Sequence, residues 1–181
     1  VWFLARAKLK NGKKYYGAYL GGFPERARAL LGVTINDPVL HVCGGMARPY
    51  PSPGGFGPYD MTLDIDPATE PDYLADAREP LPTSVTYDTF DGSRITTPWG
   101  AILIDPPYSE ADAAHYNVGA AAYPRPSALV NNALAALPAG HRVGIIHYLL
   151  PQARDARFVA CIGVICGFNN RMRCYSVFEK K

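Results

Sequence analysis

The stretch Trp99-Gly-Ala-Ile-Leu-Ile-Asp-Pro-Pro-Tyr108 decides how the rest of the chain is read. Residues Trp99 to Ile104 form an apolar run that reads as a buried strand, because no polar side chain interrupts it. Asp105 ends the run, and Pro106-Pro107 remove two backbone donors and stiffen the turn. A carboxylate, a rigid turn and an aromatic ring thus follow one buried strand. In open α/β sheets, that position at a strand's carboxyl end is where ligands bind.

Upstream, the same pattern recurs. A short strand from Pro38 to Cys43 runs into Gly44-Gly45, and the segment from Met46 to Tyr59 is a Pro/Gly-rich loop. A strand over Met61 to Leu63 ends in Asp64-Ile65-Asp66, and a brief one over Tyr73 to Ala75 leads to Asp76. Residues 79–98 read as another loop. Four strand ends therefore carry glycine or an acid. Gly44-Gly45 let the backbone approach a ligand closely. Asp64 follows about 20 residues later, the interval at which nucleoside-binding folds place a ribose-binding acid. A carboxylate there accepts hydrogen bonds from both ribose hydroxyls. Two glycines after a strand are more often a plain turn, and Asp66 reads as a solvated loop carboxylate.

Farther out, Trp2 to Leu9 and Lys13 to Leu20 read as a hairpin around Asn11-Gly12. Pro24 opens a short helix that Gly32 caps. Downstream, Ser109 to Tyr123 is a polar loop, and Ser127 to Leu137 has the capping residue, spacing and alanine content of a helix. Arg142 to Tyr148 is the next strand. Phe158 to Ile165 and Arg171 to Phe178 form an antiparallel hairpin around Gly167-Phe-Asn-Asn170. Strands separated by helices and loops, then a terminal hairpin, predict an α/β fold whose sheet is mostly parallel, with one antiparallel strand.

The quoted motifs resemble those of amino-group methyltransferases, which move a methyl group from S-adenosylmethionine to exocyclic nitrogens, most often adenine N6 in DNA. WGAILIDPPYS resembles their catalytic motif, VLHVCGG the cofactor glycine motif, TLDIDP the second motif and YLADAREPLP the third. YYGAYLGGFPERARALLG is similar to the cofactor-side stretch that precedes the first strand in some classes. The C-terminal RFVACIGVICGFNNRMRCYSVFEK resembles the reversed hairpin that closes the sheet. The resemblance implies a Rossmann-like methyltransferase sheet with helices on both faces, and S-adenosyl-L-methionine as cofactor. It implies catalytic roles for Asp105, Pro106, Pro107 and Tyr108. It implies cofactor contacts from Tyr19, Phe23, Cys43, Gly44, Gly45, Asp64, Ile65, Asp76 and Ala77, with Asp64 on the ribose and Asp76 facing the adenine amino group. It implies no metal, since the sulfonium is already activated. One departure stands out: His41-Val-Cys43-Gly44-Gly45 lacks the usual aromatic-x-Gly-x-Gly form.

In the family that it resembles, aspartate as the first loop residue goes with adenine N6 in DNA, so the resemblance implies that target; cytosine N4 and RNA are the alternatives. A cofactor- or nucleic-acid-binding partner subunit without catalysis is a reading from a different class. A nicotinamide oxidoreductase shares the acid-after-glycine logic but lacks Gly-x-Gly-x-x-Gly and leaves Asp-Pro-Pro-Tyr unexplained. Residues 1–37 are expected to pack on a catalytic core over 38–181. That leaves no separate target-recognition domain within the stretch, so a protein partner could supply target recognition. A net charge of +2 over 181 residues argues against a polybasic binder without excluding a local patch.

Arg154, Arg157, Arg171, Arg173, Lys180 and Lys181 lean basic and read as phosphate contacts or a solvated face. His147 reads as a site residue or a satisfied histidine. His115 and Tyr116 belong to a closing loop or an ordinary connection. His41, Tyr15, Tyr16 and Tyr19 read as packing residues, Tyr19 also as a cofactor contact. The apolar and charged shares of 48% and 19% fit a globular domain. No run approaches the roughly 18 apolar residues of a membrane span, and the opening residues show no secretory pattern. Cys43, Cys161, Cys166 and Cys174 match no zinc spacing and are expected to be reduced structural thiols in a cytoplasmic protein. Proline, at 17 residues, is about twice its usual share.

Overall fold

The computed structural model describes residues 1–6, 18–50, 54–89, 91–114, 123–167 and 171–181. Asn11-Gly12, Tyr15, Tyr16, His115, Tyr116 and residues 168–170 lie outside them. In chain order the elements are strand β1 (Trp2–Leu4), helix α1 (Phe23–Leu31), strands β2 (Val39–Val42), β3 (Met61–Asp64) and β4 (Tyr73–Leu74). Strands β5 (Ser84–Asp88), β6 (Arg94–Pro98) and β7 (Ala101–Ile104) follow, then helices α2 (Glu110–Ala114) and α3 (Pro126–Ala136). Strands β8 (Arg142–His147), β9 (Ala156–Cys166) and β10 (Met172–Lys180) close the chain.

The main sheet has the order β1-β9-β10-β8-β7-β2-β3-β4. From β4 through β8 the neighbours are parallel, β10 runs antiparallel to β8 and β9, and β1 pairs parallel with β9. This is the expected Rossmann-like sheet closed by a reversed hairpin. Alternation along the central strands builds both faces. Leu40, Val42, Ile102, Ile104, Val143 and Ile145 meet Leu129, Val130, Ala133 and Leu134 of α3 in one core. On the other face, Val39, Ala101, Leu103 and Ile146 meet Phe23, Ala27 and Leu31 of α1. Both faces are therefore covered by helices, which explains why β7 reads as an unbroken apolar run and β2 as one interrupted only by His41.

Gly144 on β8 shows how tightly the second core closes. A Cβ there would lie 2.2 Å from the Tyr175 hydroxyl, and Tyr175 is wholly buried. Gly144→Ala is expected to lower unfolding free energy by about 1–3 kcal/mol through overpacking, read as a drop in urea midpoint.

Four local expectations are corrected. Trp2–Leu4 is an edge strand of the main sheet, pairing with β9; the anticipated hairpin's turn lies outside the described residues, while Arg6 bridges Leu20 and the Gly21 N–H donates to Ala5 C=O at 2.9 Å. Packing of the Trp2 ring on Phe23 and Tyr175 favours that edge. Residues 79–98 contain the antiparallel β5–β6 hairpin rather than a loop alone. Val85, Thr86 and Tyr87 opposite Ile95, Thr96 and Thr97 suit a pleated ribbon, and Gly92 at φ 83° makes the turn. The polar loop begins with a helical turn, α2, because Ser109 Oγ accepts the Asp112 N–H at 3.1 Å. Helix α3 starts at Pro126 after Arg125, so Ser127 is not its cap; its hydroxyl accepts the Gln152 N–H at 2.9 Å instead. Among the described residues no helix is long and apolar enough to cross a membrane.

Candidate active site

Because β2, β3, β4, β7 and β8 are parallel, their carboxyl ends share one edge of the sheet. Cys43, Asp64, Asp76, Asp105 and His147 lie at or just beyond those ends. Bonds that continue the ladder past the strands hold these turns to one another. Asp105 N–H donates to Val42 C=O at 3.2 Å, Gly44 N–H to Leu63 C=O at 3.2 Å, and Ala75 N–H to Asp64 C=O at 3.0 Å. The centre of the group is Cys43, a non-glycine residue at φ 52°. Its thiol is pushed up by burial first, then by the charges of Asp64, Asp105 and Asp76. The charges of three carboxylates from three different turns thus all bear on this one thiol.

Asp64 is held by the glycine turn. Its Oδ2 accepts the Gly45 N–H at 2.9 Å and its Oδ1 the Asp66 N–H at 3.0 Å. Burial nevertheless raises its pKa against those two bonds. Each carboxylate oxygen has a second lone pair, so hydroxyl pairs such as those of a ribose could still be accepted. Ile65 beside it is 41% exposed, an apolar surface at the rim. Gly44 has an internal reason to be glycine: a Cβ there would meet the His41 carbonyl at 2.7 Å. Asp76 is drawn below its ordinary range by Arg78, whose backbone N–H and Nε donate to Asp76 Oδ1 at 2.9 and 3.0 Å. Any amino group facing Asp76 therefore shares it with a guanidinium.

The Asp-Pro-Pro-Tyr turn folds back on itself. Tyr108 donates its hydroxyl to Asp105 Oδ1 at 2.5 Å. Pro106 is buried, while Asp105, Pro107 and Tyr108 are half-buried. Burial pushes Asp105 up to about 6, opposed by the charge of Arg173 and by the Tyr108 bond. The Arg173 guanidinium lies over the Tyr108 ring, 4.4 Å from its centroid. Tyr148 and His147 flank the same ring at 4.9 and 5.7 Å. An open groove of about 460 Å³, lined by Ser109, Ala111, Asp112, Tyr148, Arg171 and Met172, runs alongside.

Other anticipated residues lie away from this edge. Phe23 is 1% exposed, edge-on to Tyr175, and Ala77 is buried in the core. Tyr19 is also buried, and its hydroxyl is pushed up by burial first and then by the charge of Asp105. That hydroxyl donates to His41 Nδ1 at 3.0 Å, and His41 Nε2–H donates to Asp60 Oδ2 at 3.1 Å. Asp60 also accepts Val39 N–H at 3.0 Å, Gly57 N–H at 2.7 Å and the Arg28 guanidinium. His41, read as a packing residue, is thus a link in a buried polar network. Asp60, absent from the sequence reading, is its hub.

The basic residues do not form one patch. Strand β10 is antiparallel to β8, so Arg171 and Arg173 reach the site edge while Lys180 lies at the opposite end. There Lys180 Nζ donates to Leu137 C=O at 2.5 Å, and Arg157 pairs with Glu179. Tyr148 and Tyr123 are additions that only the fold reveals, and the fold alone brings Arg173, read from sequence as a phosphate contact or a solvated face, against Tyr108.

No family model and no curated protein matches the chain. Among solved structures it is similar to TrmN from Thermus thermophilus, at 17% identity and TM-score 0.46, over 90% of this chain and 49% of that one. It is similar to TehB from Haemophilus influenzae at 10% identity and TM-score 0.49, over 94% and 65% respectively. The N-methyltransferase NodS from Bradyrhizobium japonicum aligns at 10% identity and TM-score 0.45, over 86% of this chain and 94% of its own. The chain thus spans about half the length of TrmN, and likeness at this level says nothing of substrate.

Proposed function

We propose that this chain is an S-adenosylmethionine-dependent methyltransferase acting on an exocyclic amino nitrogen of a nucleic-acid base, adenine N6 in DNA first. The observation that carries the reading is the placement of Asp64, Asp76 and Asp105 at or just beyond the carboxyl ends of neighbouring parallel strands, with Tyr108 bonded to Asp105. Asp64 and the 43–45 turn would hold the cofactor's ribose, Ile65 and Asp76 its adenine. When bound, the cofactor supplies a methyl group already activated on a sulfonium.

The protein's task is to make a poor nucleophile attack. An exocyclic amine delocalises its lone pair into the ring. Asp105 and the Pro106 carbonyl accept its two hydrogens, which favours a tetrahedral nitrogen and frees that pair. Both contacts strengthen as positive charge grows on nitrogen, so they favour the transition state over the ground state. The incoming amine takes over the acceptor that the Tyr108 hydroxyl occupies, and the released Tyr108 ring stacks on the base. Reaching the base requires that it leave the helical stack. After transfer the nitrogen sheds a proton, for which ionised Asp105 is the adjacent acceptor. Arg171 and Arg173 are the cations placed to meet a phosphate beside the groove. Residues 1–37 serve the core over 38–181 in this reading, target selection falls to a partner or to short contacts, and the setting is cytoplasmic.

The role of Asp105 sets a pH dependence. Its carboxyl is pushed up to about 6, so the ionised acceptor is lost as pH falls through that value. Initial rates of transfer are expected to rise through about pH 6 and level off above it, falling about tenfold per unit on the acid side. Arg173 lowers that pKa, so Arg173→Gln should move the midpoint to higher pH. An unmoved midpoint would remove Arg173 from the site's electrostatics.

The proposal is tested by calorimetric titration with S-adenosylmethionine, followed by transfer of a labelled methyl group to DNA and RNA. Saturable binding with transfer to nucleic acid is expected. Binding without transfer to any substrate would favour the non-catalytic partner subunit, and no binding would overturn the reading.

A further inference from the structure

Behind the catalytic turn, three segments of chain are tied together by one run of hydrogen bonds. The Leu149 N–H donates to His147 Nδ1 at 2.9 Å. A nitrogen that accepts a backbone N–H carries no proton, so the neutral ring bears its proton on Nε2. That Nε2–H has one partner, the Tyr123 hydroxyl. With its lone pair occupied, the Tyr123 hydroxyl turns its own proton to the Tyr108 carbonyl, 3.1 Å away. Every donor is used once and every direction follows from the first bond. His147 is only 1% exposed, and burial disfavours its charged form, which would put a proton on Nδ1 against the Leu149 N–H.

We infer that His147 and Tyr123 are positioning residues that fix the main chain of the 105–108 turn through the Tyr108 carbonyl; the inference rests on the proposed transferase reading of that turn. Neither side chain reaches the transferred group in this scheme. Their work is to keep the Pro106 carbonyl and Asp105 aimed at one point after the amine displaces the Tyr108 hydroxyl. At that moment the turn loses its own internal tie, the Tyr108–Asp105 bond. The Tyr108 carbonyl bond still ties the turn through Tyr123 to His147 at the end of β8. The benefit therefore falls on the chemical step rather than on cofactor binding, because the 43–45 turn and Asp64 lie on other strands. Small displacements of reacting groups are costly at this step.

The test is a double-mutant cycle with Tyr123→Phe, His147→Leu and the pair. Tyr123→Phe is expected to lower kcat about 10- to 100-fold with little change in S-adenosylmethionine affinity. The double variant should be no slower than the worse single one, because one run of bonds can be cut only once. His147→Gln, whose amide keeps an N–H donor toward Tyr123 without the imidazole ring, should recover part of the loss relative to His147→Leu. Full kcat in Tyr123→Phe, or losses that multiply, would overturn the inference while leaving the transferase reading intact. A second readout needs no activity. Imidazole ¹⁵N spectra should show His147 as the Nε2–H tautomer, with that resonance shifted in Tyr123→Phe. The opposite tautomer, or no shift, overturns the inference even if no substrate is ever methylated.

Discussion

An Asp105→Ala protein is expected to bind S-adenosylmethionine as wild type does and to transfer its methyl group at least about 10²–10³ times more slowly. The size follows from removing a preorganised charged acceptor that acts where charge develops. Retained binding follows from position: Asp105 closes β7, whereas Asp64 and the 43–45 turn belong to β3 and β2. The variant also carries a stability signature. Asp105 is pushed up to about 6 by burial, so between its ordinary value near 3.8 and about 6 the folded chain holds a proton that the unfolded chain has lost. Stability from this group therefore falls as pH rises through that window. In Asp105→Ala that component disappears, while most of the activity goes with it. Lost activity in a protein that keeps its fold at neutral pH distinguishes a catalytic carboxylate from a structural one. Undiminished transfer would remove Asp105 from the mechanism.

Asp60→Ala is expected to cost about 3–5 kcal/mol of unfolding free energy, the scale for breaking a buried ion pair from one side. Asp60 is 2% exposed and accepts from Val39, Gly57, His41 and Arg28, while Arg28 is itself 4% exposed. Removing it strands a guanidinium, an imidazole N–H and two backbone N–H groups away from water. Burial alone would raise the Asp60 carboxyl, but the bonds and charges of His41 and Arg28 hold it below its ordinary value. Its stabilisation is thus complete at neutral pH and is lost as pH falls below the ordinary carboxylate range. Because the network ends at Tyr19, whose hydroxyl feels the charge of Asp105, loosening it should also disturb the site. Chemical denaturation of the two proteins checks the size, and a change below about 1 kcal/mol would contradict the account of the network.

The central strands were legible because burial on both faces leaves largely apolar runs, and because acids, glycines and prolines end them. The placement of Asp64, Asp76 and Asp105 was legible for the same reason: parallel strands place consecutive carboxyl ends on one edge. The β5–β6 hairpin was not, since Thr96, Thr97 and Pro98 beside polar Asp91 and Ser93 resemble a loop until Val85 is seen to anchor the ribbon in the core. The contacts of Arg173 and Tyr123 with Tyr108 were not legible because they form across the fold, 65 and 15 residues away in sequence. Asp60 and His41 lie 19 residues apart, and no local pattern marks an acid in a proline-rich loop as the acceptor for four donors. Phe23 shows the reverse case: a motif position suggested a ligand contact, and aromatic packing against Tyr175 claimed the ring.

The most direct test of the central claim is mass spectrometry of nucleosides from DNA and RNA incubated with the protein and S-adenosylmethionine carrying a trideuterated methyl group. The account predicts a labelled N6-methyldeoxyadenosine peak that vanishes in Asp105→Ala. Label on cytosine N4 or in RNA would keep the chemistry and change the substrate. Saturable cofactor binding with no labelled nucleoside in either pool would contradict it.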